Sequence, residues 1–179
     1  MPIVTVSPSP AYPAARLSHA GLDWPAVVGK NGVTASKREG DGKTPLGDFM
    51  VLTVYYRADR VNLPPGGLPA RPIEPDDAWC DDPAHPLYNQ PVKANRLGGG
   101  VSYERLWRKD HLYDVLLDLG YNRSAPAAGQ GSAVFMHVAA NESDPPSAPT
   151  AGCIALPKTA LLQIIDGSPG GLRVTVTKN

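Results

Sequence analysis

The sequence predicts a mostly-β domain of the sandwich or barrel-like type, with one or two short helices. Three observations carry this. Short apolar runs rich in Val, Ile, Thr and aromatic residues recur along the 179-residue chain, 20 prolines and 18 glycines punctuate them, and at most two segments have helical character. At 42 % apolar residues the chain can bury a real core, so residues 1–179 are expected to form a single domain.

Ile3-Val4-Thr5-Val6 reads as the first strand, ended by Ser7-Pro8-Ser9-Pro10, and Trp24 to Lys30 as the second. Residues 31–47 contain four glycines and read as turns leading into Phe49 to Tyr56, the strongest strand pattern of the N-terminal half. Residues 57–95 are proline-rich with little periodicity and read as a long excursion over one face, of the kind that often lines a functional site. A short helix is expected at 102–109, after Gly98-Gly99-Gly100. Tyr113 to Tyr121 and Ser132 to Ala139 read as adjacent central strands. A loop over 140–150, a Gly152-Cys153 turn and a helix from Pro157 to Ile165 follow, with Gly167 just past its end. Alternation in Leu172 to Thr177 gives the closing strand. There is no internal repeat.

Seventeen basic residues balance seventeen acidic ones, with no block of like charge, which argues against nucleic acid or an anionic membrane surface as partner. No apolar stretch is long enough to span a bilayer. The N-terminal stretch Met1 to Pro10 has no basic region, and prolines interrupt its apolar residues, so a cytoplasmic protein is expected, or a periplasmic one if a leader has been trimmed. Two cysteines make no disulfide framework and suit a reducing compartment.

The chemistry concentrates near the C-terminus. His137 ends the run Ala133-Val134-Phe135-Met136-His137-Val138, and Cys153 follows Thr150-Ala151-Gly152 and opens the next run. The intervening loop rules out a helical relation, but two neighbouring strands could bring a thiol and a base together, as Cys–His acyl transfer requires. A buried cysteine and a hydrogen-bonded core histidine fit the same runs. Gly152 supports the catalytic reading, because its backbone freedom allows the N–H groups of Gly152 and Cys153 to face an oxyanion.

The stretch from His137 through Thr150-Ala151-Gly152-Cys153-Ile154 resembles the signature of the YkuD-type L,D-transpeptidases: a His, a variable loop, then Ser/Thr-x-Gly-Cys. Lys37-Arg38-Glu39-Gly40-Asp41-Gly42-Lys43-Thr44-Pro45-Leu46-Gly47-Asp48-Phe49 resembles the family's Lys-x-Thr-Pro-x-Gly-x-Phe loop, and the two motifs stand in the family's order. The resemblance implies a β-sandwich-like catalytic domain with no cofactor or metal. It implies Cys153 as nucleophile, His137 as base and the Val138 carbonyl as the group that orients the imidazole; Thr150 is a further support. The substrate implied is a peptidoglycan stem peptide or muropeptide, cut before its terminal D-alanine through a thioester on Cys153. The leaderless branch of the family, which acts as L,D-carboxypeptidase in cell-wall recycling, is the expected match. Periplasmic transpeptidation giving 3→3 crosslinks or D-amino-acid exchange is the alternative, and a non-catalytic wall-binding module the third possibility.

Two positions depart from the family pattern. Ala155 stands where an Arg is usual, and Ala151 where a His is common. A carboxypeptidase must still hold a free carboxylate, ideally with a guanidinium, and Arg96, Arg105 and Arg123 are the candidates. Trp79-Cys80-Asp81-Asp82-Pro83-Ala84-His85 contains metal-ligand types, but it mixes soft and hard donors without a zinc spacing. It reads better as a loop lining the groove, with Trp79, His85 and Tyr88 as walls. Lys37, Arg38 and Lys43 are basic enough to meet substrate carboxylates.

Overall fold

A computed structural model describes residues 1–178. In chain order the strands are β1 (Ile3–Pro8), β2 (Ala14–His19), β3 (Leu22–Val27), β4 (Val33–Thr34), β5 (Thr44–Pro45), β6 (Gly47–Met50), β7 (Thr53–Tyr56) and β8 (Ala70–Pro72). Then come β9 (Asp77–Cys80), β10 (Gln90–Lys93), β11 (Tyr103–Arg105), β12 (Val115–Asp118), β13 (Phe135–Val138), β14 (Ile154–Leu156) and β15 (Arg173–Val176). Among the described residues there is one α-helix, α1 (Lys158–Asp166). Ten strands form one curled sheet in the order β6-β15-β1-β2-β3-β14-β13-β12-β7-β8, and β10-β9-β11 form a second, smaller sheet. The mostly-β, barrel-like expectation holds.

The curl originates in one apolar run. Residues 49–56 look continuous in sequence, yet β6 pairs with β15 at one end of the sheet and β7 with β12 near the other. Only Val51 and Leu52 join them, so the two ends must approach one another, as in a barrel. The break leaves no donor stranded: the Val51 N–H donates to the Leu172 carbonyl at 3.0 Å and the Leu52 N–H to the Asp118 carbonyl at 2.9 Å.

Inside the curl, Val4, Val6, Leu17, Met136, Val138, Ile154 and Leu156 meet the buried face of α1, formed by Ala160, Leu161, Ile164 and Ile165. The other face of β13 and β12 carries Phe135 and Leu116 into an aromatic cluster with Tyr55, Trp79 and Tyr113. Strand β13 is therefore covered on both sides, which is why its four residues are all buried and its sequence does not alternate.

The predicted central strands lie in β12 and β13 and pair antiparallel, and the C-terminal strand is β15. The helix after the Gly-Cys turn is present, with Pro157 at its N-cap and Gly167 at its C-cap. Other expectations change. The segment 102–109 is not helical: Tyr103–Arg105 pairs with β9, because an unpaired β9 edge offers it a ladder that a single helical turn lacks. The 57–95 excursion contains β8, β9 and β10, three or four residues each and too short to leave a periodic signal; β8 pairs with β7, β10 with β9, and β9 also with β11. Strand β2 went unpredicted although Ala15, Leu17 and His19 alternate inward.

Ile164 is fully buried between the helix and the sheet. Ile164→Ala is expected to lower unfolding free energy by about 2–5 kcal/mol, read from the urea midpoint at unchanged slope.

Candidate active site

Strands β13 and β14 run parallel, with Met136 opposite Ile154 and His137 opposite Ala155. Side chains alternate along each strand, so Cys153, one residue before β14, falls on the same face as Ala155, and across the ladder on the same face as Phe135 and His137. The packing agrees, since Cys153 sits against the aromatic cluster while Ile154 and Met136 point to the opposite core. The thiol and the imidazole are thus diagonal neighbours across the β13–β14 ladder, with Ala155 on the same face. Both line a cavity of about 360 Å³.

Each side chain is held from a second direction. His137 Nδ1 lies 2.9 Å from the Val138 carbonyl, which can only accept, so Nδ1 carries the proton and Nε2 is left as the basic nitrogen of the neutral ring. The imidazole also stacks edge-on to Tyr113, at 5.3 Å between centroids. Cys153 Sγ accepts from the Phe135 N–H at 3.4 Å and donates to the Ala133 carbonyl at 3.2 Å.

The turn that presents Cys153 is fastened by the upstream Thr-Pro motif. The fully buried Thr44 hydroxyl accepts from the Gly29 N–H at 2.9 Å and donates to the Gly152 carbonyl at 2.9 Å. In a trans peptide the N–H points opposite to the C=O, so fixing the Gly152 carbonyl on Thr44 turns the Cys153 N–H away from it. That N–H has no acceptor among the described residues. The Thr150 hydroxyl donates to the Cys153 carbonyl at 2.6 Å and accepts from the Gly152 N–H at 3.2 Å. The expected two-donor oxyanion site is thereby altered: Gly152 N–H is already engaged, and Cys153 N–H is the open one. Two glycines make the close approach feasible. A Cβ on Gly29 would lie 2.4 Å from the Gly42 carbonyl oxygen, and one on Gly152, at φ +149°, would lie 2.9 Å from that of Lys43.

Burial, then the nearby Glu104 carboxylate, pushes the Cys153 thiol up to about 12, against smaller downward pulls from the Phe135 N–H and Lys37. Burial likewise lowers His137 to about 4, although its bond to Val138 opposes this. At neutral pH the pair is therefore thiol and neutral imidazole rather than a thiolate–imidazolium pair. The arrangement suits a base that takes the proton as sulfur attacks.

The cavity wall carries charges of both signs: Lys37 and Arg108 against Glu39, Asp81 and Glu104. Burial raises the Glu104 carboxyl, which accepts a bond from the Tyr113 hydroxyl. Lys37 Nζ is tied to Asp41 at 2.5 Å and to the Arg38 carbonyl at 3.0 Å. Arg38 itself is exposed, and Lys43 approaches the site through its backbone.

The predicted substrate-binding residues are redistributed. Thr150 lines the cavity. Trp79 does not wall it; its ring is fully buried beneath Phe135, with Nε1 donating to Asn89 at 2.9 Å. Tyr88 is buried and reaches the site only by its hydroxyl bond to Glu39. His85 lies in a turn, accepting from the Leu87 N–H at 3.1 Å. Arg123 is a structural cation over Trp79, bonded to Asp118, Gln90 and the Asn89 carbonyl. Arg105 is exposed on β11, and Arg96 borders a separate shallow pocket. A guanidinium takes whatever carboxylate, carbonyl or ring the fold brings to it: Arg123 combines the nearby Asp118 with the distant Asn89, Gln90 and Trp79, and Arg105 reaches Tyr103 on its own strand. Arg108, Tyr113 and Glu104, close to one another in sequence, carry no motif; what brings them to Cys153 and His137 is the pairing of β11 with β9 and the loop before β12.

Residues 13–176 match the family model described as the YkuD L,D-transpeptidase catalytic domain. No curated protein matches the chain.

Two outcomes are expected from this geometry. Thr44→Ala strands the Gly29 N–H and frees the Gly152 carbonyl, and should cost about 1–3 kcal/mol of stability by chemical denaturation, with Thr44→Ser near the parent protein. Alkylation of Cys153 by iodoacetamide should be slow at pH 7 and rise about tenfold per pH unit up to pH 10, because the thiol stays protonated across that range; an early plateau near pH 7 would contradict the burial effect.

Proposed function

Because the chain belongs to the YkuD family of cysteine L,D-transpeptidase catalytic domains, whose members act on peptidoglycan peptide stems, we propose that it is an L,D-carboxypeptidase. It removes the terminal D-alanine from tetrapeptide stems of soluble muropeptides in the cytoplasm. The observation that carries this reading is the Cys153–His137 diagonal on adjacent parallel strands, with the imidazole tautomer fixed by Val138 so that Nε2 is the base.

As Cys153 Sγ attacks the carbonyl of the third residue, His137 Nε2 takes the thiol proton. Negative charge then develops on the carbonyl oxygen, and the Cys153 N–H is the backbone donor available to it. Collapse breaks the C–N bond, His137 returns the proton to the departing amine of D-alanine, and a thioester remains on Cys153. Water, deprotonated by His137, attacks the thioester and gives the tripeptide carboxylate and the free thiol.

The cavity supports hydrolysis, since about 360 Å³ suits one peptide end with water and a second stem would compete for the same space. Both cysteines are free thiols, as suits a reducing compartment. Transfer to an amine acceptor is a second reading, favoured by Glu39, Asp81 and Glu104 on the wall, which suit an incoming cationic group.

Incubation with disaccharide tetrapeptide should release D-alanine, detected by mass spectrometry, and Cys153→Ala should reduce the rate by at least about 10³-fold. Undiminished turnover in that variant would sink the thiol mechanism. Crosslinked or D-amino-acid-exchanged products on adding an amine acceptor would assign transfer instead.

A further inference from the structure

Ala155, two residues after the cysteine, is buried opposite His137 and brings no charge to the cavity. A cation reaches the same cavity from another direction. Arg108, in the loop before β12, lines it with its side chain about one-third exposed. Its Nε and Nη2 fork onto the Asp110 carboxylate at 2.8 and 2.7 Å, and its backbone carbonyl accepts from Arg57 at 2.7 Å. The guanidinium lies 5.1 Å from the centroid of Tyr113, the ring that borders His137 at 5.3 Å. It is therefore fixed beside the base.

Arg108 also retains capacity. Asp110 occupies one edge of the fork, while Nη1 has no acceptor among the described residues. Lys37, the other cation of the lining, is buried with its ammonium bound to Asp41 and the Arg38 carbonyl. Arg96, Arg105 and Arg123 lie outside the cavity.

We propose that Arg108 is the specificity residue that receives the free C-terminal carboxylate of a short peptide acyl donor. The inference rests on the proposed peptide-cleaving reaction and deepens it. A planar guanidinium pairs with a carboxylate through charge-assisted bonds that a carboxamide or a continuing peptide cannot reproduce. Cleavage would then be confined to the last residue of the chain.

The test is binding, kept separate from turnover. On a Cys153→Ala background, titration calorimetry should find a stem tetrapeptide bound about 10- to 100-fold tighter as the free acid than as its C-terminal carboxamide. Arg108→Gln should abolish that preference and leave carboxamide affinity unchanged, which also shows that the variant is folded. Arg108→Lys should keep part of it. Equal affinity for acid and amide with Arg108 present, or a preference that survives Arg108→Gln, overturns the assignment. A full Arg108-dependent preference in a protein whose Cys153 form releases no D-alanine counts against the proposed reaction while supporting the carboxylate site.

Discussion

The site depends on one buried hydroxyl. Thr44 belongs to a short β5 strand far from Cys153 in sequence, yet its oxygen lies between the Gly29 N–H and the Gly152 carbonyl. Because a peptide plane is rigid, holding that carbonyl also sets the direction of the Cys153 N–H. The Thr-Pro loop, the glycine at the end of β3 and the nucleophile turn act as one unit, and neither Gly29 nor Gly152 has room for a side chain against it. The two sequence motifs are therefore two halves of a single contact.

A second constraint is electrostatic. The same packing that fixes Cys153 and His137 removes water from both, and each responds by favouring its neutral form. In the proposed reaction the thiol proton therefore moves to Nε2 as sulfur attacks, and the oxyanion is met by a backbone donor, in place of a preformed thiolate. Charged groups stay on the cavity wall, where Arg108, Lys37 and three carboxylates can discriminate among ligands without lying between sulfur and imidazole.

The curl of the sheet links these features. By leaving the ladder at Val51 and Leu52 and resuming as β7, the chain draws β12 and β13 around the α1 core, which leaves their outer face to the aromatic cluster and the thiol. The small β10-β9-β11 sheet then covers that face and delivers Asp81, Glu104 and the approach to Arg108. Of the 57–95 excursion, expected to line the groove, Asp81 alone does so; Glu104 and Arg108 come from the segment that follows it.

What the sequence determined by itself was local. Period-2 alternation marked β15, β-branched and aromatic runs marked β12 and β13, Pro157 and Gly167 bounded α1, and His137, Val138, Thr150, Gly152 and Cys153 were legible because a short chain segment holds the whole reactive turn. What only the tertiary structure decided was which distant side chains share that turn's surroundings. Trp79 reads as a groove wall and lies in the core; Arg123 reads as a ligand for carboxylate and is committed to Trp79 and Asp118; Arg108 reads as part of a helix and lines the cavity. The physical reason is that strand pairing and charge placement are non-local. A ladder partner, a counter-ion or a wall is set by which edge is left open once the sheet curls, and no period or spacing along the chain records it.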